Sequence, residues 1–406
     1  MKTRRRSAPL RAIFLCGWIV ALLLIGSTAA HAQIYELPRP ATDSLSAFGV
    51  SVAIDGERAI VGASGEDVCG PNSGAAYVFE RNAATGTWRQ TARLTPSDCE
   101  RDAFFGQALD LRGDRAIVSA SSEFFARKKS NAAYVYEYDP AADAWTEEAR
   151  LISTTNAEEG AFAADVAIDR NRAVVTTSGS AEGTFGGAAY VFERDPSAPN
   201  WIQRARIAPD AGTLHGVFGG PVALDGDRIA VAASTYLARA PGSVYLFERD
   251  ASGTWTQVNR LGGIDDFFIS VDLSGERLLV GETVAGDDDE GAASLYHRGP
   301  SGRWAQAATL RSATPYESGA FGSAVSLGGR RALVTGYDEQ LGQDYNIDRV
   351  VYVFERDAED GTWRQRQVVD IGQVDFGTAI DHDGAYAIIS SVPNERPGAA
   401  YIVQLF

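Results

Sequence analysis

A unit of about 55 residues repeats seven times along this chain, and this repetition constrains the fold more than any single residue does. Each repeat begins with a phenylalanine, and successive repeats start 50 to 57 residues apart. The seven positions are Phe48, Phe105, Phe162, Phe218, Phe268, Phe321 and Phe376. Such a period indicates a repeat architecture, in which each unit buries its apolar face against its neighbours.

Further aromatic residues recur at fixed places in the repeats. A tyrosine follows each initial phenylalanine by 25 to 31 residues. These are Tyr77, Tyr134, Tyr190, Tyr245, Tyr296, Tyr352 and Tyr401. The first six repeats then carry a tryptophan, namely Trp88, Trp145, Trp201, Trp255, Trp304 and Trp363. An aliphatic residue lies six positions beyond each tryptophan, as Leu94 lies beyond Trp88. An even offset predicts that both side chains lie on one face of a strand.

Four strands are predicted in each repeat. In the first, residues 50–54 alternate as a strand does and end in Asp55-Gly56, a two-residue hairpin signal. The second strand is the apolar run after Arg58, the third contains Tyr77, and the fourth begins at Trp88. Seven such units predict an all-β fold, a seven-bladed β-propeller of four-stranded antiparallel blades, which leaves few strand edges exposed.

The last repeat is incomplete, and its missing strand is predicted at the other end of the chain. The chain ends at Phe406, before any tryptophan strand. Leu37 precedes Phe48 by 11 residues, just as Leu94 precedes Phe105. Residues 34–38 therefore match a fourth strand, and we expect them to close the ring by completing the last blade.

The N-terminal segment is predicted to be a targeting signal. Residues 1–32 combine a basic start, an apolar stretch over 13–25 and Ala30-His31-Ala32 before Gln33, which is typical of a cleaved secretory signal peptide. The alternative, a membrane anchor, needs about 20 apolar residues. We therefore expect residues 33–406 to form one exported propeller, periplasmic or extracellular, monomeric and without a membrane span.

The charge of the mature chain bears on its partners. Removing residues 1–32 takes away five basic residues and no acidic ones, so the formal charge falls from −16 to −21. An acidic surface repels phosphate backbones. Nucleic acid is therefore not an expected partner.

Three short motifs carry a resemblance to a known family. They are Phe-Gly at 48–49, Gly-Ala-Ser at 62–64 and Tyr-Val-Phe-Glu-Arg at 77–81. The Phe-Gly pair changes to Phe-Ala at 162–163 and to Phe-Ile at 268–269. Over residues 33–406 the chain resembles the bacterial FG-GAP repeat proteins, whose repeats are similar to those of the integrin α-subunit propeller. The resemblance implies the fold and says little about function, because propellers host many functions.

The resemblance also raises the possibility of calcium as a cofactor. Family members hold calcium between the second and third strands, through alternating aspartates that end in a glycine. Asp344, Asn346 and Asp348 alternate in this way but are followed by Arg349, whereas residues 287–291 have the glycine without the alternation. Calcium needs six to eight oxygen ligands. A solvated acidic loop is the alternative interpretation of both segments.

A catalytic constellation is not recognisable in the sequence. The mature chain has His215, His297 and His382 in three repeats and at three different places in the repeat. We interpret His382 as a turn residue, and no nucleophile elbow, phosphate loop, zinc or haem motif is present. The sequence favours a secreted, non-catalytic binding or adhesion module for a protein or glycan at the cell surface. An enzyme, hydrolase or lyase, with its site at the channel mouth is the alternative, and a structural envelope component is a third possibility.

The connections between second and third strands are long and variable, which is where binding residues concentrate. The charged candidates in them are Arg127, Lys128, Lys129, Asp287, Asp288 and Asp289. Cys69 lies in one such loop, and Cys99 lies in the connection to the second repeat. Both connections emerge on one face of an up-and-down sheet, so we predict a Cys69–Cys99 disulfide.

Overall fold

The computed structural model describes residues 33–39, 46–121, 131–154, 161–178, 186–198, 200–210, 217–234, 241–264, 269–286, 289–314, 319–338, 349–373, 375–393 and 397–406. Over these residues the regular secondary structure consists of strands. In chain order they are β1 (Ile34–Glu36), β2 (Phe48–Asp55), β3 (Arg58–Ala63), β4 (Ala75–Arg81), β5 (Trp88–Leu94), β6 (Phe105–Arg112), β7 (Arg115–Ala120), β8 (Ala132–Asp139), β9 (Ala144–Leu151), β10 (Ala161–Asp169), β11 (Arg172–Ser178), β12 (Gly187–Arg194), β13 (Trp201–Ile207), β14 (Val217–Asp225), β15 (Arg228–Ser234), β16 (Gly242–Arg249), β17 (Trp255–Ile264), β18 (Ile269–Ser274), β19 (Arg277–Glu282), β20 (Ala292–Arg298), β21 (Trp304–Leu310), β22 (Val325–Gly328), β23 (Arg331–Tyr337), β24 (Arg349–Arg356), β25 (Trp363–Val369), β26 (Phe376–Asp383), β27 (Tyr386–Ser391) and β28 (Ala399–Gln404).

The strands form seven antiparallel sheets of four, which we call blades 1 to 7 in chain order. Blades 1 to 6 are β2–β5, β6–β9, β10–β13, β14–β17, β18–β21 and β22–β25, and blade 7 is β26–β28 with β1. The first strand of each blade contacts the first strand of the next, and β26 contacts β2. The ring is therefore closed, which confirms the predicted seven-bladed β-propeller.

The N-terminal strand completes blade 7, as the sequence predicts. β1 pairs antiparallel with β28, with Ile34 opposite Val403 and Glu36 opposite Tyr401. Beyond the strand, the Leu37 amide donates to the Ala400 carbonyl at 2.8 Å. The Leu37 side chain is only 1% exposed and belongs to the core between blades 7 and 1. The two ends of the chain are thus joined by backbone pairing and apolar packing.

The hydrophobic core lies between the blades. Seven clusters of buried residues are found in the described part of the chain, each drawn from two neighbouring blades. The repeated aromatics anchor them: the Phe48 and Tyr77 ring centroids are 6.0 Å apart, and those of Phe105 and Tyr134 are 5.7 Å apart. These tilted and edge-on contacts are favourable aromatic arrangements. Phe268, the predicted start of repeat five, lies outside the described residues.

The predicted shared face of each tryptophan and its aliphatic partner is wrong. Trp88 packs in the core between blades 7 and 1, whereas Leu94 packs between blades 1 and 2. The pairing of β4 with β5 shifts by one residue between Val78 and Phe79. Such a bulge adds one residue to the outer strand and reverses the alternation. The same shift occurs in blades 2 to 6, so each outer strand contributes to two junctions.

The Phe-Gly and Gly-Ala motifs meet where one blade approaches the next. A Cβ added to Gly62 of blade 1 would overlap the carbonyl oxygen of Gly106, the glycine of the Phe-Gly pair in blade 2. The same carbonyl accepts a hydrogen bond from Ser51 Oγ at 2.8 Å. Blade 2 carries the hydroxyl on the neighbouring strand instead, where Ser119 Oγ accepts from the Ala108 amide at 2.9 Å. The motif therefore sets the spacing between blades.

Candidate functional site

The first strands of all seven blades line a channel through the centre of the ring. Its cavity has a volume of about 430 Å³. Most of its wall consists of valine, leucine, isoleucine and alanine from these strands, and aspartates interrupt this apolar pattern. The channel is therefore a narrow space with a markedly acidic lining.

Channel aspartates in blades 2, 3, 5 and 7 fasten each of these blades to the next one. Asp110 Oδ2 accepts a hydrogen bond from the Ile168 amide of blade 3 at 2.7 Å, and Asp381 Oδ2 accepts one from the Ile54 amide of blade 1 at 2.8 Å. The other oxygen of Asp110 accepts from the Leu111 amide at 2.7 Å. Asp165 and Asp272 make the equivalent bonds to Val222 and Leu327. Each carboxylate thus ties two strands together with both of its oxygens.

A second set of contacts joins the turns between the first and second strands. Asp169 Oδ2 accepts from the Gly226 amide of the next blade at 2.8 Å, and Arg172 Nη1 donates to the Gly226 carbonyl at 2.8 Å. At other junctions the corresponding turn amide donates to Asp55, Asp225 or Asp383. The corresponding turn carbonyl accepts from Arg58, Arg228, Arg277 or Arg331. An aspartate and an arginine three residues apart, one on each side of the first turn, therefore bind the first turn of the next blade.

Burial changes the acidity of the channel groups. It raises the pKa of Asp165 and Asp272 to about 7 and that of Asp381 to about 8, and like-charged neighbours such as Asp110 add to the shift. Hydrogen bonds from backbone amides oppose it. These carboxyl groups therefore take up protons near neutral pH, where an exposed aspartate does not.

We expect the stability of the protein to fall between about pH 6.5 and about pH 9. Aspartates whose pKa is raised in the folded state stabilise it fully below their unfolded pKa of about 3.9, and this contribution is lost progressively as the pH rises from there through the folded pKa of about 7 to about 8. Burial lowers the pKa of His382 to about 4, which has the opposite sign, but its effect ends once an unfolded histidine is neutral. Urea unfolding midpoints across this range measure the effect.

The matched variant for this measurement is Asp381→Asn. It keeps the size of the side chain and an oxygen that accepts from the Ile54 amide, and it removes the titrating group. We expect a shallower fall of the midpoint with pH in this variant than in the parent protein. An identical slope in both proteins would show that the channel carboxyl groups do not titrate as described.

His382 belongs to the channel wall, and its interpretation as a turn residue is wrong. It lies in β26 and is 7% exposed. Its Nδ1 lies 2.8 Å from Ser326 Oγ of blade 6, and Ser326 Oγ lies 3.1 Å from Asp381 Oδ1. The hydroxyl is therefore shared by the histidine and the carboxylate at the one junction where serine occupies the aspartate position.

On the opposite face, repeated tyrosines hold the longer connections against the blades. Tyr134 donates to Asp98 Oδ1 at 2.6 Å, and Tyr352 donates to Asp338 Oδ2 at 3.2 Å. Tyr77 donates to Glu66 in the same way. Burial raises the pKa of Tyr352 to about 12, so the hydroxyl stays protonated as a donor. We call this the loop face, and the face with the short first turns the turn face.

The structure confirms the predicted disulfide on the loop face. Cys69 and Cys99 are bonded, with their Cα atoms 6.0 Å apart and a sequence separation of 30. Asn72 and Asp102 connect the same two loops through a 3.3 Å hydrogen bond. The bridge ties the connection inside blade 1 to the connection that leads into blade 2. Disulfides of this kind are typical of proteins from oxidising compartments.

Removing the disulfide is expected to lower the free energy of unfolding by roughly 3 kcal/mol, because the open loop gains entropy in the unfolded chain. The Cys69→Ser, Cys99→Ser double variant and the parent protein are compared by urea unfolding, each with and without a reducing agent. Reduction should lower the midpoint of the parent and leave the double variant unchanged. Equal midpoints for both proteins without reductant would contradict the expectation.

Most of the predicted binding residues cannot be placed. Arg127, Lys128, Lys129, Asp287 and Asp288 lie outside the described residues, as do the calcium candidates Asp344, Asn346 and Asp348 and the histidine His215. Asp289 is described and has a left-handed backbone, with φ of 54°. Among the residues that the structure describes, no three metal-ligating side chains come together. The described part of the chain also has no helix with the length and apolar character that crossing a membrane requires.

The closed ring with its fastened channel defines the chain as a seven-bladed β-propeller. Residues 42–79, 88–136 and 145–192 match the model of the FG-GAP repeat family. This part of the chain therefore consists of FG-GAP repeats, and the seven-bladed fold agrees with the resemblance of its motifs to FG-GAP repeat propellers. A comparison with curated proteins finds no match.

Solved structures share this fold at low sequence identity. A protein from Lactobacillus plantarum is similar with a TM-score of 0.51 and 14% identity, over 82% of this chain and 88% of the other. A Bacteroides uniformis protein, provisionally assigned as a 6-phosphogluconolactonase, has a TM-score of 0.50 and 12% identity, over 80% of this chain and 85% of the other. At such identities the likeness concerns the fold alone.

Proposed function

We propose that this protein is an exported, non-catalytic propeller that binds a protein or glycan partner through its loop face. The observation that carries the proposal is the contrast between the two faces. First and second strands are joined by two residues in every blade, whereas second and third strands are joined by 7 to 11. Long connections on a rigid scaffold are the usual carriers of binding residues.

Three features of the loop face support this proposal. The Cys69–Cys99 disulfide and the tyrosine–carboxylate hydrogen bonds anchor residues of the connections on this face. Anchoring reduces the conformational entropy that a loop loses when it binds a partner. The charged residues Arg127 to Lys129 and Asp287 to Asp289 belong to the same class of connection. Export would bring this face into contact with partners outside the cytoplasm, after cleavage before Gln33.

The test is capture of a partner by the immobilised mature protein, followed by identification and a binding assay with the purified partner. Reversing the charges of Arg127, Lys128 and Lys129 together, or of Asp287, Asp288 and Asp289 together, is expected to weaken binding at least tenfold. Arg89→Glu, on the exposed side of β5, is the matched control. Binding that only turn-face changes such as Asp225→Asn abolish, in a folded protein, would contradict the assignment.

The processing part of the proposal has its own measurement. N-terminal sequencing of the exported protein is expected to start at Gln33. The Gln33 carbonyl accepts a hydrogen bond from the Gln404 amide at 3.0 Å, so this end of the chain is attached to blade 7. A mature chain that retains residues 1–32 would contradict the signal peptide.

A second candidate function is an enzyme, hydrolase or lyase, with its site at the channel mouth. The observation in its favour is the group of carboxyls whose pKa is raised to about 7 or 8 at Asp165, Asp272 and Asp381. Against it, the oxygens of these groups already accept backbone hydrogen bonds from two blades. Lactones are the first substrates to test, given the provisional name of one structural relative. Turnover that Asp272→Asn and Asp381→Asn abolish would favour the enzyme.

A further inference from the structure

Arginines at the junctions between neighbouring blades share carboxylates near the turn face. Between blades 3 and 4, Glu193 Oε1 lies 3.1 Å from Arg172 Nε of its own blade and 3.1 Å from Arg249 Nε of the next. Asp227, in the first turn of blade 4, lies 2.9 Å from Arg172 Nη1 and 3.8 Å from Arg249 Nη1. Two guanidinium groups and two carboxylates therefore balance each other.

The junction between blades 4 and 5 has the same four positions with the same charges. Glu248 Oε1 lies 3.9 Å from Arg228 Nε and 2.5 Å from Arg298 Nε. Glu276 Oε1 lies 4.0 Å from Arg228 Nη2 and 3.8 Å from Arg298 Nη1. The balance of charges thus occurs at two successive junctions.

The junction between blades 5 and 6 keeps both arginines and has neither carboxylate. His297 faces Arg277 in the strand register that pairs glutamate with arginine in blades 3 and 4. Arg330 stands in the turn of blade 6 where the turns of blades 4 and 5 have an acidic residue. Arg356 ends β24 as Arg249 ends β16. Both positions that are acidic at the other two junctions are therefore occupied here by non-acidic residues.

The arginines of this junction have only carbonyl partners among the described residues. Arg277 Nη2 donates to the Gly329 carbonyl at 2.5 Å, and Arg330 donates to the Arg356 carbonyl at 3.0 and 2.7 Å. Burial and the repulsion from Arg356 lower the pKa of Arg277. The side chain of Arg356 is exposed, whereas that of Arg249 is only 23% exposed beside its carboxylates. Among the residues that the structure describes, no anion thus lies between the positive charges of Arg277 and Arg356.

A cavity of about 700 Å³ opens at this junction. It is lined by Arg277 and Arg356 and by His297, Leu295 and Trp363. Asp360 also contributes to the wall. Its carboxylate is already held by Arg364 Nη2 at 2.6 Å and by Thr362 Oγ1 at 2.6 Å. The cavity therefore combines a positive end with an apolar wall.

We propose that this cavity, the blade 5/6 cleft of Arg277, His297, Leu295, Arg356 and Trp363, binds the carboxylate group of an organic ligand. The ligand carboxylate occupies the place that a glutamate fills between two arginines at the blade 3/4 and blade 4/5 junctions. Guanidinium groups match carboxylates in geometry and are weakly hydrated, so they suit this role. The apolar wall contacts the carbon skeleton that bears the carboxylate. An acidic amino-acid residue and an acidic sugar both offer this chemistry.

The test is calorimetric titration of the protein with N-acetylglutamate, glucuronate and inorganic phosphate at constant ionic strength. Wild-type protein is expected to bind at least one of the two carboxylates, with the tighter one identifying the source. His297→Glu is expected to weaken this binding at least tenfold, because its own carboxylate fills the place. His297→Gln has a similar size without the charge, so it separates the effect of the charge from the effect of replacing the histidine, and it is expected to weaken binding less than threefold.

The unfolding temperature separates lost binding from lost structure. His297→Glu restores one of the two acidic positions of the blade 3/4 and blade 4/5 junctions, so this variant is expected to unfold at a higher temperature than the wild type. Absence of carboxylate binding to the wild type would overturn the proposal, as would binding of phosphate alone. Equal binding by wild type and His297→Glu, or an equal loss of binding in His297→Gln and His297→Glu, would overturn it as well.

Discussion

A protein that lacks residues 33–40 is expected to be strongly destabilised and to self-associate. Its loss includes the burial of Leu37, worth roughly 2 to 3 kcal/mol, and the backbone hydrogen bonds of β1, worth about 1 kcal/mol each. Blade 7 would then expose the edge of β28, and an open edge pairs with other chains. Urea unfolding and light scattering measure the two effects. A truncated protein that remains monomeric and unfolds at the parent midpoint would contradict the role of β1.

Two further variants separate the contribution of the Leu37 side chain from that of strand pairing by β1. Leu37→Ala removes the apolar contact and keeps the strand, so we expect it to lose stability without self-association. Moving residues 33–40 to a position after Phe406, through a short flexible linker, restores the strand from the other end of the chain. The Gln33 carbonyl already bonds the Gln404 amide at 3.0 Å. This rearranged protein is expected to regain most of the lost stability.

Gly62→Ala is expected to lower the free energy of unfolding by about 3 kcal/mol, the upper end of what overpacking usually costs. The added Cβ would overlap the Gly106 carbonyl, which Ser51 Oγ already holds in place through a 2.8 Å hydrogen bond. Relief requires blades 1 and 2 to move apart, which loosens the core between them. Gly281→Ala is expected to have the same effect through Gly322. Thermal unfolding of both variants measures it.

Gly220→Ala is the matched control, because its Cβ would meet the nearest atom at 3.6 Å, an ordinary contact. We expect its stability to lie close to that of the parent. Combining Gly62→Ser with Ser51→Ala reproduces the Ala108 and Ser119 pair of blade 2 and should lose less stability than Gly62→Ser alone. If Gly62→Ala and Gly220→Ala unfold at the same temperature, the blade spacing does not depend on Gly62.

The blades could be predicted because the signals for them are local and repeated seven times. A two-residue turn such as Asp55-Gly56 fixes a hairpin wherever it occurs, and alternation marks the strands around it. Closure by residues 34–38 could be predicted because the distance from Leu37 to Phe48 copies that from Leu94 to Phe105. The disulfide followed from connectivity alone, since alternate connections of an antiparallel sheet lie on one face.

Which side of the outer strand each side chain occupies could not be predicted from the number of residues between them. Counting from Trp88 to Leu94 assumes uninterrupted alternation, and one bulge residue reverses it. Nothing in the segment between them, Arg89 to Arg93, marks the bulge by a glycine or a proline. Pairing with β4 decides it, because the bulge lets Trp88 and Leu94 fill two different junctions.

The fastening groups of the channel were also missed, although a signal existed. Asp110, Asp272 and Asp381 each stand two positions before a turn, where other repeats have alanine or serine. From the sequence alone, a single aspartate in a strand is interpreted as a residue that faces solvent. Only the closed ring places these carboxyls together, away from bulk water and against the amides of the next blade.

The sequence by itself determined the number of blades, the order of their strands, the strand that closes the ring and the disulfide. All of these depend on contacts between residues near in sequence or on the repetition of a local pattern. Tertiary structure alone decided which side chains face each junction, why the channel carboxyls hold protons, and that Arg277 and Arg356 meet without a carboxylate. Those properties arise between blades, where groups about 50 residues apart in sequence share one desolvated space and their charges act on each other.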